Sequence, residues 1–366
     1  MEKFDIVVLG PLADESTIRD GMVQRVAQID ALLKDMRRIY ITISYKRYFW
    51  GKHAPIKVRD KLYRLDIHIL KLHRFILNSQ RIYVHSLHNV LRSMPWILFS
   101  KAKIFYDVHG IVPEEQWYSK RYLRSIILTF CEYSFLKLKK NFNIIYVTET
   151  MRKYIREKHK FIAKDFVIPI FPKNLSNLNL NENDVAMLKN RYIINDDDTV
   201  FIYSGSASKW QKIDLMLSQI KKLSKNNRHK FFILTGDYDK FDKLLSDYGL
   251  KLKNVFLNSV SPEELAPYYA ASHYGFLLRD RHPLNNVACP TKAVEYLTFG
   301  IIPIVLEENI GDLKRLGYEY ISINDITEQD ILSPRKSDKN VEIAQYLKQD
   351  TEVNLHKIKE ELSLYL

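Results

Sequence analysis

Between Cys289 and Val305 the chain reads CPTKAVEYLTFGIIPIV, which sets a cation, a carboxylate and a helix start close together. Pro290 suits a helix entry, because its missing N–H falls among the donors that a first turn leaves unpaired. Thr291 can cap that end. Lys292 follows near the positive end of the helix, and Glu295, three residues on, shares its face. Gly300 closes the helix, and Ile301 to Val305 has the continuous apolar character of a buried parallel strand. Such a start invites an anion with hydroxyls beside it, as in the diphosphate and ribose of a nucleotide. An ordinary αβ unit with an i,i+3 ion pair would show the same residues.

Three further stretches carry chemistry. TVFIYSGSASKW (199–210) is a strand followed by small residues, Gly205 and Ser206 among them, whose N–H groups can approach an anion. A tight strand–helix turn needs the same residues. LLRDRHPLNN (277–286) sets Arg279 and Asn286 beyond a strand end, where open parallel sheets bind ligands. Lys209, Lys212, Arg279 and Lys292 are thus rival cations for a phosphate. KIFYDVHGIVPEEQW (103–117) places Asp107, His109 and Glu114 just after another strand. His109 can donate or accept a proton near neutral pH. A histidine is also a common structural residue, and Glu114 can simply favour the next helix dipole.

The pattern P-x-K-x-x-E-Y-L-x-x-G, carried by Pro290, Lys292, Glu295, Tyr296, Leu297 and Gly300, resembles the donor-site motif of GT-B glycosyltransferases of the family-four type. The resemblance implies that Glu295 binds donor ribose and that the helix start, with Thr291, faces the diphosphate. It implies a diphosphate role for Gly205, Ser206 and the nearby cations, with Gln211-Lys212 standing where the family has Lys-Gly. It puts Gly236 close to the donor base. It makes Asp107 and His109 the catalytic element, and sets Gly10, Gly21 and Glu114 along the acceptor side. One departure stands out: the family's earlier Glu, eight positions before Glu295, is Val287 here.

The elements that must position these residues alternate. Strands are expected at 4–9, 39–44, 81–84, 103–106 and 144–148, and again at 199–206, 231–236, 254–258, 273–279 and 301–305, with helical periodicity between them. The expected fold is α/β, with two doubly wound Rossmann-like domains that, on the GT-B resemblance, face a central cleft. The domains run 1–172 (acceptor side, basic) and 173–340 (nucleotide-sugar donor side). Residues 341–366 form a last helix that crosses back to the first domain.

Length and composition agree with this. The chain has 366 residues, 46% of them hydrophobic and 27% charged, enough for two ordinary domains. No apolar run approaches the roughly 18 residues of a membrane span. The start MEKFDIVVLG lacks a signal-peptide layout. Two cysteines exclude a disulfide framework, and no Cys/His spacing suggests zinc. No metal or other cofactor is expected.

Net charge is +13, and it is unevenly placed: residues 1–172 hold 31 basic and 16 acidic residues, the remainder 25 and 27. That split points to a polyanionic partner for the first half. Basic-aromatic stretches at 46–50 and 95–99, and a cationic, apolar-striped helix at 118–140, suit an anionic membrane surface or single-stranded nucleic acid.

The combined expectation is a cytoplasmic glycosyltransferase held peripherally on the inner face of the plasma membrane. It would move a hexosyl group from a nucleotide-diphosphate sugar to a lipid-linked glycan in surface polysaccharide synthesis, with retention and without metal. Nucleic acid is the disfavoured partner. A nucleotide-sugar epimerase of the same fold, or a non-catalytic sugar-nucleotide or nucleic-acid binding protein, is the alternative.

Overall fold

The computed structural model describes residues 3–13, 21–45, 54–171, 180–326 and 333–364. The stretch 46–50 lies outside these residues. The chain divides into two compact units, 1–170 with 349–366, and 171–348.

In the first unit an eight-stranded sheet has the order β3-β4-β2-β1-β5-β6-β7-β8. Its strands are β1 (Ile6–Leu9), β2 (Arg38–Ser44), β3 (Ile56–Arg59), β4 (Leu62–His68), β5 (Arg81–His85), β6 (Lys103–Val108), β7 (Phe142–Tyr146) and β8 (Lys164–Val167). All neighbours pair in parallel except the β3–β4 hairpin. β1, β5 and β7 are buried throughout, as continuous apolar runs in a covered parallel sheet should be. The sequence pattern does not announce the hairpin. All four residues of β3 are exposed, and the charged stretch IKVRDKLYRL masks the alternation of β4. Lys61, with φ of 55°, makes the turn.

The second unit holds a parallel six-stranded sheet in the order β11-β10-β9-β12-β13-β14. Its strands are β9 (Thr199–Ser204), β10 (His229–Leu234), β11 (Val255–Asn258), β12 (Tyr274–Leu277), β13 (Ile302–Val305) and β14 (Ile321–Ser322). Side chains alternate across it: Val200 and Ile202 enter one core, Phe201 and Tyr203 the other. Both units therefore have the doubly wound parallel architecture expected. Strand order reverses between β1 and β5 in one unit and between β9 and β12 in the other. Such reversals open a crevice at the carboxyl ends of the strands.

The helix expected at 118–140 runs Tyr122–Leu138, and a separate shorter helix, Val112–Tyr118, precedes it. Lys120 between them has φ of 59°, which no helix interior accepts. The last helix, Asp338–Ser363, begins in the second unit, and Ile358 and Leu362 on it join the core of the first unit beneath β1 and β5. Among the described residues no helix is long and apolar enough to cross a membrane.

The second unit depends on one close approach. The Tyr296 ring lies over β12, its hydroxyl 3.3 Å from the Ile202 carbonyl. A Cβ built on Gly275 would fall 2.4 Å from that ring. Gly275→Ala should therefore lower stability by about 1–3 kcal/mol through overpacking. A urea titration of native and variant chains measures this, and an unshifted midpoint would refute it.

Candidate functional site

Each switch point carries a polar cluster, and the two units are described in turn.

In the second unit β9 ends at Ser204, and Gly205 turns the chain past Lys292. A Cβ on Gly205 would sit 3.1 Å from Lys292 Nζ and 3.2 Å from the Tyr203 hydroxyl. Lys292 is buried, donates to Gln211 Oε1 at 3.1 Å, and lies 4.0 Å from the Tyr203 ring centroid. Burial, reinforced by the charge of Arg279, holds its ammonium well below the ordinary lysine value. Arg279 is lowered by burial too. Its Nη1 reaches Asn285 Oδ1 at 3.4 Å, while its buried Nε has no partner.

Glu295 lies in the same cluster but is not hydrogen-bonded to Lys292. Its Oε2 accepts from the Tyr269 hydroxyl at 2.8 Å, and that hydroxyl is also 2.8 Å from Ser204 Oγ. Burial raises the Glu295 carboxyl, opposed by the Tyr269 bond and Lys292. The i,i+3 ion pair that the spacing allowed is thus replaced by separate partners. The outcome is a buried region in which the lysine feels the charge of the half-buried Arg279 on one hand and a carboxyl pushed toward its neutral form on the other. Such a region is short of negative charge.

Pro290 is the N-cap of helix Thr291–Thr298, and no side chain caps that end. Thr291 is therefore the first helical residue rather than the cap; the Ala293 N–H bonds back to the Pro290 carbonyl at 2.9 Å, and the Thr291 and Lys292 N–H groups are left for an acceptor. Gly300 follows the helix with φ of +66°, the left-handed stop expected of it.

Ser206 is exposed, its Oγ 2.8 Å from Ser208 Oγ. The loop is fixed from behind by Asp237, whose carboxylate accepts from the Ala207 N–H at 2.8 Å. Gly236 precedes that residue. Lys212 pairs with Asp280 at 2.7 Å, which satisfies its charge outside the cluster. Lys209 opens a short 3-10 turn, and its side chain lies outside the described residues. The Asn286 amide, oriented to suit its surroundings, donates to the carbonyls of Asn309 (3.1 Å) and His282 (3.2 Å). Val287 is buried.

In the first unit the carboxyl ends of β1, β5 and β6 bring Gly10, His85, Asp107 and His109 together. Asp107 has no exposed surface. Arg25 grips it with Nε and Nη2, each at 3.0 Å, and the Tyr83 hydroxyl donates at 2.8 Å. His109 Nε2 lies 3.1 Å from the carboxylate and 3.2 Å from His85 Nδ1. Burial alone would raise Asp107, but Arg25 and then His109 hold it well below the usual carboxylate range. Burial pushes His85 down to about 4, so it is neutral at pH 7. The ionised Asp107 accepts a hydrogen bond from the His109 Nε2–H, which leaves the buried Nδ1 as the unprotonated nitrogen, without a hydrogen-bond partner. Asp107 itself, enclosed on every side, is a positioning residue. A Cβ on Gly10 would meet His85 at 3.2 Å, so glycine allows this approach.

Sequence reasoning missed Arg25, Tyr83 and His85. The signal available for His85 was its place at the end of RIYVH, a strand beside the switch point. His85, Asp107 and His109 also form the one three-residue group among the described residues with ligand atoms close enough for a metal ion. A cation there would have to compete with Arg25 and Tyr83 for the same carboxylate. Of the remaining candidates, Gly21 opens helix Gly21–Leu32. Glu114 is drawn into an ion network, accepting from Tyr154 at 2.9 Å and Lys158 at 2.7 Å.

Residues 185–311 match the family model described as glycosyl transferases group 1. No curated protein matches the sequence. Solved structures share the fold across nearly the whole chain. Sucrose-phosphate synthase from Thermosynechococcus elongatus aligns with a TM-score of 0.72 at 13% identity, covering 99% of this chain and 100% of that one. HepE of Anabaena, solved with UDP-glucose, gives 0.65 at 11%, covering 98% and 100%. WaaG, a glycosyltransferase of lipopolysaccharide biosynthesis, gives 0.62 at 10%, covering 98% and 99%.

The uncompensated cations yield a prediction that needs no substrate. Replacing Lys292 by Met removes a buried charge while keeping most of the volume, and should leave the ligand-free protein unchanged or up to about 2 kcal/mol more stable. A lysine whose folded value is depressed bears its full cost below that value. The cost fades as pH rises toward the ordinary 10.5. The advantage of Lys292→Met should accordingly shrink as pH rises. Thermal melts across pH measure it; a variant less stable at every pH would contradict the assignment.

Proposed function

We propose that this chain, a glycosyltransferase of the GT-B fold, moves a hexosyl group from a nucleotide-diphosphate sugar to a lipid-linked glycan in surface polysaccharide synthesis, at the inner face of the plasma membrane. The observation that carries the donor assignment is the buried Lys292 beside Gly205, with the half-buried Arg279 near it, at the β9–β12 switch point. A diphosphate supplies the negative charge this region lacks, and the Thr291 and Lys292 N–H groups at the start of helix Thr291–Thr298 add donors. Glu295, freed from Tyr269 or sharing its bond, can accept from two ribose hydroxyls. HepE and WaaG support the reading by what their names state: a UDP-sugar ligand for one, lipopolysaccharide synthesis for the other.

In the transfer an acceptor hydroxyl oxygen bonds to the anomeric carbon as the bond to the diphosphate breaks. Charge accumulates on the departing phosphate, where preorganised cations act most strongly. Arg279 and Lys292 fill the part a metal ion plays elsewhere, which supports metal-independent chemistry. Retention of configuration follows the family-four likeness. The basic excess of residues 1–172 supports the membrane and lipid-linked acceptor. Val287, in place of the family's acidic residue, is the feature that favours the rival reading of a silent sugar-nucleotide binder.

Glu295→Ala should weaken binding of a free nucleoside diphosphate by about 1–3 kcal/mol, because it leaves ribose hydroxyls unpaired. Calorimetry with a folded variant tests this, and unchanged affinity would reject the ribose assignment. His109→Ala should lower turnover at least about ten-fold with donor affinity kept, if the base acts on the reaction rather than on folding. Hydrolysis of a panel of nucleotide sugars reads both outcomes. The absence of any hydrolysis by the native chain, with binding intact, would favour the silent reading.

A further inference from the structure

Helix Tyr122–Leu138 is apolar on both sides, yet only one side is covered. Leu128, Cys131, Phe135 and Leu136 are buried in the first unit. On the opposite side Leu123 and Phe130 remain 73% and 72% exposed, with Ile126, Ile127 and Tyr133 between and beyond them. Their spacing of three and four residues makes one continuous outer stripe. Trp117 and Tyr122, edge to face at 4.7 Å, extend it onto the preceding helix, Val112–Tyr118. The stripe is not flat. Trp117, Ile126, Phe130 and Tyr133 border a cavity of about 490 Å³ that ends on Lys158 and His159. A stripe of this kind on a water-facing helix marks an interaction surface.

Charge identifies the partner. From 112 to 140 the exposed ionic residues are Glu115, Lys120, Arg121, Arg124, Lys137 and Lys140, so five of the six are basic, and Glu115 lies near Arg121 and Arg124. Glu132 is buried and held by His159 at 2.7 Å and Lys158 at 3.1 Å. Apolar and aromatic side chains rimmed by cations match an interface of acyl chains and anionic headgroups. A second copy of the chain fits poorly, since a two-fold contact would set one cationic rim against the other.

We infer that the outer face of helices Val112–Tyr118 and Tyr122–Leu138 is where the first unit lies on an anionic phospholipid bilayer. Trp117, Leu123, Ile126 and Phe130 enter the headgroup–acyl boundary, and Arg121, Arg124 and Lys137 sit among the phosphates. The cavity gives one lipid tail a recess. This inference rests on the membrane-facing part of the function proposed above and assigns it to named residues.

The test is sedimentation of the full chain with vesicles of phosphatidylcholine alone or mixed with phosphatidylglycerol. Native protein should bind the mixed vesicles at low salt, release as salt rises, and leave neutral vesicles unbound. Leu123→Glu with Phe130→Glu should weaken binding at least about ten-fold. Arg121→Glu with Arg124→Glu should weaken it at least about five-fold for each cation lost. Binding of a nucleoside diphosphate, read by calorimetry on the same samples, should not change in either variant. Equal vesicle binding by native protein and the Leu123→Glu/Phe130→Glu variant would overturn the inference, as would no binding by the native chain. A native dimer that this variant converts to monomer would reassign the face to self-association. Failure of the donor reading looks different: nucleotide binding is absent from every form while vesicle binding persists.

Discussion

A lysine held out of water is the constraint on which the second unit turns. Lys292 has only Gln211 and the Tyr203 ring for company, and Arg279 nearby adds a second positive charge. Desolvating like charges together is costly, and folded proteins rarely keep them so without a counter-ion. Everything around the pair is arranged to tolerate it. Gly205 offers no Cβ, Asp237 holds the loop from behind, and Tyr269 engages Glu295 so that the carboxyl does not simply neutralise the lysine. The fold thus stores an unmet demand for negative charge at the point where parallel sheets open.

The first unit solves the opposite problem. Asp107 is a buried carboxylate with more partners than it needs: Arg25, Tyr83, His109 and, at longer range, His85. So many partners hold the carboxylate rigidly, while His85 Nε2 and His109 Nδ1 have no hydrogen-bond partner. Rigidity fixes the ring of His109 and the nitrogen that carries its proton. Ser86, immediately after β5, sits at φ of +68°, an uncommon conformation for a side chain with a Cβ. The strain lies beside His85, consistent with backbone strain collecting at functional sites.

Charge and apolar surface are divided along the same lines. The positive excess belongs to the first half of the sequence, and so does the uncovered apolar helix face, while the second half is nearly neutral overall. A buried charge deficit in one unit and a cationic, apolar exterior on the other are separate devices. They can be altered independently because no residue serves both.

Several features were fixed by local sequence alone. The alternation of apolar strands and periodic helices determines two doubly wound sheets, because period and burial are local properties. The run CPTKAVEYLTFGIIPIV determines its helix, its glycine stop and strand β13 for the same reason. Tertiary structure alone decided the partners. Arg25 meets Asp107 across 82 residues, Lys292 meets Gln211 across 81, and Tyr269 meets Glu295 across 26. No spacing rule reaches that far, so Lys292 and Glu295 read as an ion pair when each is in fact engaged elsewhere. The β3–β4 hairpin was hidden because an exposed edge strand needs no apolar alternation. Whether the apolar residues of helix Tyr122–Leu138 faced core or solvent was likewise undecidable from pattern, since the helix is apolar on both faces and only packing selects one.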